Sequence, residues 1–346
     1  MAKRIFDLPE TKGFFQLKGI VSGTKKDGFY KELKTKSNKN MRFTNFGVSY
    51  EKEKTLYLNN QGMEQEYVYF SKKAEKKGEK GDTQKVPWVD RFSFNRDGYR
   101  LIGNIIGVKK KVDEEGKTVN DSKVLTDFDT CKEISDNLKD GNSVFTKGNI
   151  DYSSYIDKNG DKRMSTKLVP TQVSLCADID YDSDDYNVQS NFNQVIIFMG
   201  IEKEKENDKD TGRFVVSAKI VTWSNIEDVE FIIENNNLAS MFKRNLKPYN
   251  SIKVSGKMIS SVAKETVDDD EWGEGDVMER VVAPAKKEFI ITGAKGSTVD
   301  RETYTEENVE DAINKINKSN KADSDYGDDS SEWGDLDSSD EDDFDW

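Results

Sequence analysis

"NLKPYNSIKVSGKMISS", Asn245 to Ser261, aligns without a gap against "NLKDGNSVFTKGNIDYS", Asn137 to Ser153. Seven of the 17 positions are identical, and the apolar phase is kept where Ile252 replaces Val144 and Met258 replaces Ile150. Ile252, Val254, Gly256 and Met258 alternate in one copy, and Val144, Thr146, Gly148 and Ile150 in the other. That period of two predicts a strand with one inward face. A glycine in mid-strand predicts a sharp bend or a close backbone approach. A helical pattern precedes each copy, "FDTCKEISDNLK" (Phe128 to Lys139) and "NNLASMFKRNLK" (Asn236 to Lys247). Further upstream, "LKGIVSG" and "FMGIEKE" share an apolar-Gly-apolar step. The chain reads as two copies of one unit.

Strand signals fill the rest of each unit. "FFQLKGIVSG" (Phe14 to Gly23), "TLYLNN", "EYVYFS", "QVIIFMGIE" (Gln194 to Glu202) and "RFVVSAKIVTW" (Arg213 to Trp223) are rich in β-branched and aromatic residues. Asn159-Gly160, inside "DKNGDK", predicts a type I′ hairpin turn with positive φ at both centres. "NDKDTGR" (Asn207 to Arg213) predicts a second hairpin connection. Each unit thus runs strand, strand, strand, helix, strand, strand, which is the order of an OB-fold barrel. The expected architecture is mainly β, with two tandem OB-fold barrels, short helices and a disordered acidic tail. Residues 1–178 form a basic barrel domain with a long insertion, 179–190 an acidic linker, and 191–297 the second barrel. A short amphipathic helix is expected in 298–320, with Val309, Ala312, Ile313 and Ile316 on one face, and the tail in 321–346.

Composition excludes much. The sequence has no histidine and two cysteines, Cys131 and Cys176. His-based triads, His general bases and zinc sites built from Cys and His therefore fall away. Neither a phosphate-binding GxxxxGK[ST] loop nor a GxGxxG after a strand is present. The expectation is a protein that is not an enzyme and takes no cofactor or metal. No apolar run approaches membrane-spanning length, no secretory leader is visible, and the cysteines suit a reducing compartment. The expected location is the cytoplasm.

The net charge of −13 is uneven. Met1 to Asp178 holds 34 Lys and Arg against 26 Asp and Glu, Ile179 to Asn320 holds 18 against 28, and the remainder 1 against 12. A basic front with an acidic back points to a nucleic-acid-facing part carrying an acidic appendage. In "KKDGFYKELKTKSNKNMRF", Lys25, Lys26, Lys31, Lys34, Lys36, Lys39 and Arg42 alternate with Phe29, Tyr30 and Phe43. It falls where the loop between the first two barrel strands is expected, one of the oligonucleotide-binding loops of that fold. Trp88, Phe92, Phe94 and Tyr99 lie close in sequence to Arg91, Arg96 and Arg100, and Tyr67 and Tyr69 of "YVYF" add further aromatics. Cations answer phosphates, and aromatic faces stack unpaired bases, which duplex DNA does not offer. "ADIDYDSDDY" raises a competing thought, a metal-dependent nuclease using Asp178, Asp180, Asp182, Asp184 and Asp185. It lacks the glycine and terminal Glu of a calcium loop, and reads first as an acidic linker.

Twelve of the last 24 residues are acidic, and the chain closes on "DEDDFDW", Asp340, Glu341, Asp342, Asp343, Phe344, Asp345 and Trp346. Such a run stays solvated. Tethered beside a basic groove it competes for that groove, and its aromatic tip suits an apolar pocket on a partner. "DSSDEDDFDW" together with the two "NLK…NS…G" segments resembles the single-stranded DNA-binding proteins of bacteriophages and bacteria. That resemblance implies sequence-independent binding of single-stranded DNA in phage-type replication and recombination. It also implies a tail that recruits a polymerase, helicase or recombinase. Two barrels in one chain fit a monomer, and an initiator or mediator reading a defined DNA site is the alternative.

Overall fold

The computed structural model describes residues 4–74, 76, 80–206, 208–261, 264–267, 278–281 and 286–325, and it is mainly β. In chain order come β1 (Gly13–Ser22), β2 (Tyr30–Lys34), β3 (Asn40–Glu51) and β4 (Lys54–Met63). An insertion follows, with β5 (Tyr67–Lys72), β6 (Asp82–Pro87), a 3-10 turn (Trp88–Asp90), β7 (Arg100–Leu101) and β8 (Asn104–Gly107). It ends with β9 (Lys110–Val112), β10 (Thr118–Asn120) and β11 (Lys123–Leu125). Then come α1 (Asp127–Asn137), β12 (Ser143–Ile156) and β13 (Lys162–Leu175). The second half holds β14 (Ser190–Glu206), β15 (Lys209–Val221), β16 (Ile226–Ile233), α2 (Asn236–Asn245) and β17 (Asn250–Ser261). It closes with β18 (Lys264–Val267), β19 (Met278–Val281), β20 (Lys286–Asp300) and α3 (Glu306–Asp325).

The pairings of each half return to their starting strand. In the first, β1 pairs β3, β3 pairs β4, β4 pairs β13 in parallel at Leu58 and Leu168, β13 pairs β12, and β12 pairs β1. In the second, β14 pairs β15, β15 pairs β16, β16 pairs β20 in parallel at Ile232 and Ile290, β20 pairs β17, and β17 pairs β14. The two rings therefore share one pairing order.

The repeat has a matching physical basis in both copies. Leu138 and Leu246 are buried at the helix exits, and Ser143 and Ser251 are buried at the strand entries. Asn142 Oδ1 accepts from the Lys139 amide at 3.0 Å, and Asn250 Oδ1 accepts from the Lys247 amide at 3.1 Å. Each asparagine also returns its own amide to the same lysine's carbonyl, so the side chain closes the turn from helix to strand. Between them the backbone enters the left-handed region, at Gly141 (φ 84°) and at Tyr249 (φ 68°). The mid-strand glycines sit at register shifts, and a methyl group on Gly148 or Gly256 would run into the carbonyl oxygen of Val169 or Ile290.

The rings are joined through the backbone. β1 pairs β12 along one edge and β14 along the other, from Gly13↔Gln194 to Leu17↔Ser190. One buried cluster runs through both, from Phe15, Leu17 and Phe46 to Phe192, Phe231 and Phe289. Lys287 Nζ donates to the Thr166 carbonyl at 2.8 Å and the Tyr50 hydroxyl accepts from the Ser260 amide at 3.0 Å, each from one half to the other. A second cluster docks α3 through Val309, Ala312 and Ile316 against Phe6, Leu8, Ile197, Val221 and Ile226. That is the apolar face expected from sequence. The helix begins at Glu306 because β20 continues to Asp300, six residues before it, and Thr305 accepts from the Asn308 amide at its start.

One turn differs from expectation. Gly160 has φ 86° whereas Asn159 is absent from the positive-φ residues, so the β12–β13 connection is not type I′. Asp157 decides it: its Oδ1 accepts from the Asn159 and Asp161 amides, closing a five-residue loop in which one glycine suffices. The acidic linker is anchored. The Tyr181 hydroxyl bonds the Ser49 carbonyl, and the Tyr186 hydroxyl bonds that of Tyr50. Among the described residues no helix is long and apolar enough to cross a membrane.

Candidate nucleic-acid interface

The lysine-rich segment forms a loop and the hairpin of β2 with β3. Register places Lys31 opposite Phe43, Tyr30 opposite Thr44, Glu32 opposite Arg42 and Lys34 opposite Asn40. Lys25, Lys26, Lys31, Lys34 and Lys36 are exposed, and Lys39, Tyr30 and Phe43 are half-buried. Phe29 is 7 % exposed and packs in the main core, so it props the loop instead of presenting a face. β4 extends the surface: Gln61 lies opposite Phe43, Asn59 opposite Asn45, and Tyr57 opposite Gly47. Tyr57 is exposed and was not singled out from sequence, because alternation along a strand does not say which face meets solvent.

The opposite side of this ribbon is fixed by one acid, Glu32. The Tyr30 hydroxyl donates to Glu32 at 2.7 Å, and Arg42 Nε donates to the same carboxylate at 3.1 Å. Burial, then this hydrogen bond, pushes the Tyr30 pKa up to about 12, while the two donors hold Glu32 below the usual carboxylate range. Arg42 also lies 3.8 Å over the Phe128 ring, so its plane is set before any ligand arrives.

The insertion makes a small sheet in which β5 pairs β6 and β7. Val68, Phe70 and Val86 form its core, with Trp88, Phe94, Tyr99 and Leu101 packed around them. Phe94 stands 4.5 Å from Phe70 and 6.4 Å from Tyr99, ring to ring, so Phe94 and Tyr99 serve packing. The Tyr99 hydroxyl donates to Asp82, a bond that raises its pKa, and Arg96 bonds Gln84. Tyr67 and Tyr69, two apart on β5, turn outward, with Lys85 3.7 Å over the Tyr67 ring.

Between this small sheet and α1 lies a cleft of about 660 Å³. Its cations are Arg42, Arg91, Arg100, Lys123 and Lys132, and its acids are Asp129, Glu133 and Asp136. Arg91 grips Asp129 through Nε at 2.8 Å and Nη2 at 3.1 Å, and stacks between Trp88 (4.2 Å) and Phe92 (4.3 Å). Phe92 is 67 % exposed. Lys123 pairs with Glu133 at 2.9 Å, and Lys132 pairs with Asp136. Arg100 is exposed and has no side-chain partner among the described residues. Lys123 and Lys132 come from β11 and α1, elements that only the tertiary fold brings beside the Arg91 segment. The cleft thus joins Arg42, Arg91, Phe92 and Arg100, while Tyr67, Tyr69 and the hairpin lysines lie elsewhere on the first half.

Cys131 is buried, and burial pushes its thiol up to about 12. Among the described residues no three Asp, Glu or Cys side chains gather as metal ligands, and Asp182 of the linker pairs with Lys52 at 2.6 Å. The tail residues Asp340, Glu341, Asp342, Asp343, Phe344, Asp345 and Trp346 lie outside the described residues.

The chain belongs to the YorF family, whose model matches residues 72–328. No curated protein matches it. Among solved structures it is similar to the single-stranded DNA binding protein from Thermus aquaticus. A deletion mutant of that protein gives 9 % identity and a TM-score of 0.39, covering 86 % of this chain and 98 % of that one. The wild-type protein gives 10 % and 0.37, covering 83 % and 93 %.

Proposed function

We propose that this YorF-family chain binds single-stranded DNA with little sequence preference, mainly through its first half. The observation that carries the reading is a set of exposed groups on the first half: Lys25, Lys26, Lys34 and Lys36 beside the β2–β3–β4 ribbon with its exposed Tyr57 and half-buried Phe43, and Tyr67, Tyr69 and Phe92 on the insertion. Cations that track a backbone and rings that stack any base are what unpaired strands require, and each stacked base contributes about 1–3 kcal/mol. The pairing order of each half supports reading both as OB-fold barrels, in which the second and third strands and the first loop meet oligonucleotides. On that reading residues 1–178 are the main binding domain, 179–190 the linker and 191–297 the second barrel. The acidic tail competes with DNA for the basic surface and, once displaced, recruits a polymerase, helicase or recombinase in phage-type replication or recombination. The protein acts without catalysis, as a monomer in the host cytoplasm.

The test is fluorescence anisotropy on labelled poly-dT with full-length protein and a version ending at Asp325, across a salt series and with duplex competitor. Tighter binding by the shorter form, weak duplex competition and a steep salt slope are expected, about 0.7 log units per phosphate neutralised. Lys25→Ala with Lys26→Ala should lower that slope by roughly one to two units. No binding by either form overturns the proposal.

A further inference from the structure

The strands that join the two rings present an outward face that neither the lysine hairpin nor the cleft includes. Phe15 and Leu17 of β1 point into the core, so Phe14 and Gln16 point out. Phe14 is 49 % exposed. Register sets it between Asn149 of β12 and Asn193 of β14, both exposed, with Ser255 of β17 beyond Asn193. The next row reads Lys147, Gln16, Asn191 and Lys257 across the same strands, and both lysines are exposed. None of the carboxamides of Gln16, Asn149, Asn191 and Asn193 makes a hydrogen bond among the described residues. Facing positions on neighbouring strands are about 5 Å apart, so both asparagine side chains start within reach of the Phe14 ring. The row is also held in place: a side chain on Gly13 would collide with Gln194, which is fully buried and donates to the Thr11 carbonyl at 2.7 Å.

An exposed apolar ring flanked on both sides by uncommitted amides, with a lysine at each end of the next row, matches one unpaired nucleotide. The ring takes the base face, carboxamides offer a donor and an acceptor to the base edge, and the ammonium groups take the flanking phosphates. We propose that Phe14, Asn149, Asn193, Lys147 and Lys257 form a nucleotide-binding subsite at the seam between the rings, through which a bound strand passes from the first ring to the second. The inference rests on the single-strand binding proposed above and adds a place where that binding senses the base.

The experiment compares the full-length protein with Phe14→Ala, Phe14→Trp and an Asn149→Ala, Asn193→Ala double variant, on labelled dT, dC and dA oligomers. These side chains are at the surface, and circular dichroism checks that each variant keeps its fold. Phe14→Ala should weaken binding about tenfold, the loss of one stacked base. Phe14→Trp should restore it and add fluorescence quenching by the bound base beyond that of the wild type. The double variant should bind several-fold more weakly and narrow the spread of affinities among the three oligomers. Wild-type affinity in Phe14→Ala with no added quenching in Phe14→Trp overturns the seam site and leaves binding by the first ring standing. Unchanged affinities and spread in the double variant overturn the edge contacts, and a wild-type protein that binds no oligomer overturns both proposals.

Discussion

Between its third strand and its helix, the first ring carries residues 64–126, with a sheet of its own and most of the cleft, while the second ring spans the same step with Glu234 and Asn235. The helix–turn–strand that follows is nevertheless the same in both, down to Asn142 and Asn250 on equivalent amides. Closure therefore depends on the turn, the bulged strand and the parallel pairing, and is indifferent to what precedes the helix. The insertion leaves and returns beside Gly62, where a side chain would strike the first turn of α1. α1 starts properly because Thr126 caps the Asp129 amide, as Asn235 caps the start of α2. The first ring thus accommodates a large insertion that the second ring lacks.

The equivalence is most sharply broken at the bulges. Gly148→Ala and Gly256→Ala should each cost about 3 kcal/mol or more, since the new methyl meets a backbone carbonyl that cannot rotate away. Urea denaturation checks this, and because one core and one backbone seam join the rings, each variant should lower a single shared transition. Separate transitions would show that the rings unfold independently.

Lys287 tests the contact between halves. Burial brings its pKa down to about 8 from 10.5. The native state thus gives up this proton more readily than the unfolded chain does, and between those values the unfolded chain binds more protons. Stability attributable to this group should rise as pH increases through that window, by up to roughly 3 kcal/mol. Lys287→Met should be more stable than wild type at pH 7 and lack that increment, as urea midpoints at pH 7, 9 and 10 would reveal. Parallel profiles for the two proteins would sink the assignment.

A smaller effect sharpens the repeat itself. Asn142→Ala and Asn250→Ala each free one backbone amide at a helix exit and should each cost about 1 kcal/mol. Thermal melts that differ by more than this between the two would mean the turns are not equivalent.

Much of this was legible because it is local. A 17-residue match located both exits from helix to strand, the mid-strand glycines foretold close approaches, and the apolar stripe of α3 follows from a period of 3.6. The site was legible only in composition. Of the residues that the pattern singles out, Phe29 is buried in the main core and Phe94 and Tyr99 pack in the small sheet, whereas Tyr57 is exposed and Lys123 and Lys132 line the cleft without any local signal for it. A strand's pattern gives two faces without naming the outer one, and α1 and β11 meet the Arg91 region only through pairing across the fold.

The sequence by itself determined the doubled unit, its strand-helix order and the separation of basic front from acidic back, since propensity, turn chemistry and charge act over a few residues. Tertiary structure alone decided that β1 serves both rings, that Arg91 is held by Asp129, and that Phe14 stands between Asn149 and Asn193. Those arrangements depend on backbone hydrogen bonds between segments well over a hundred residues apart in two of the three cases, with register set by closure of each ring, and no local pattern encodes which distant strand will complete an edge.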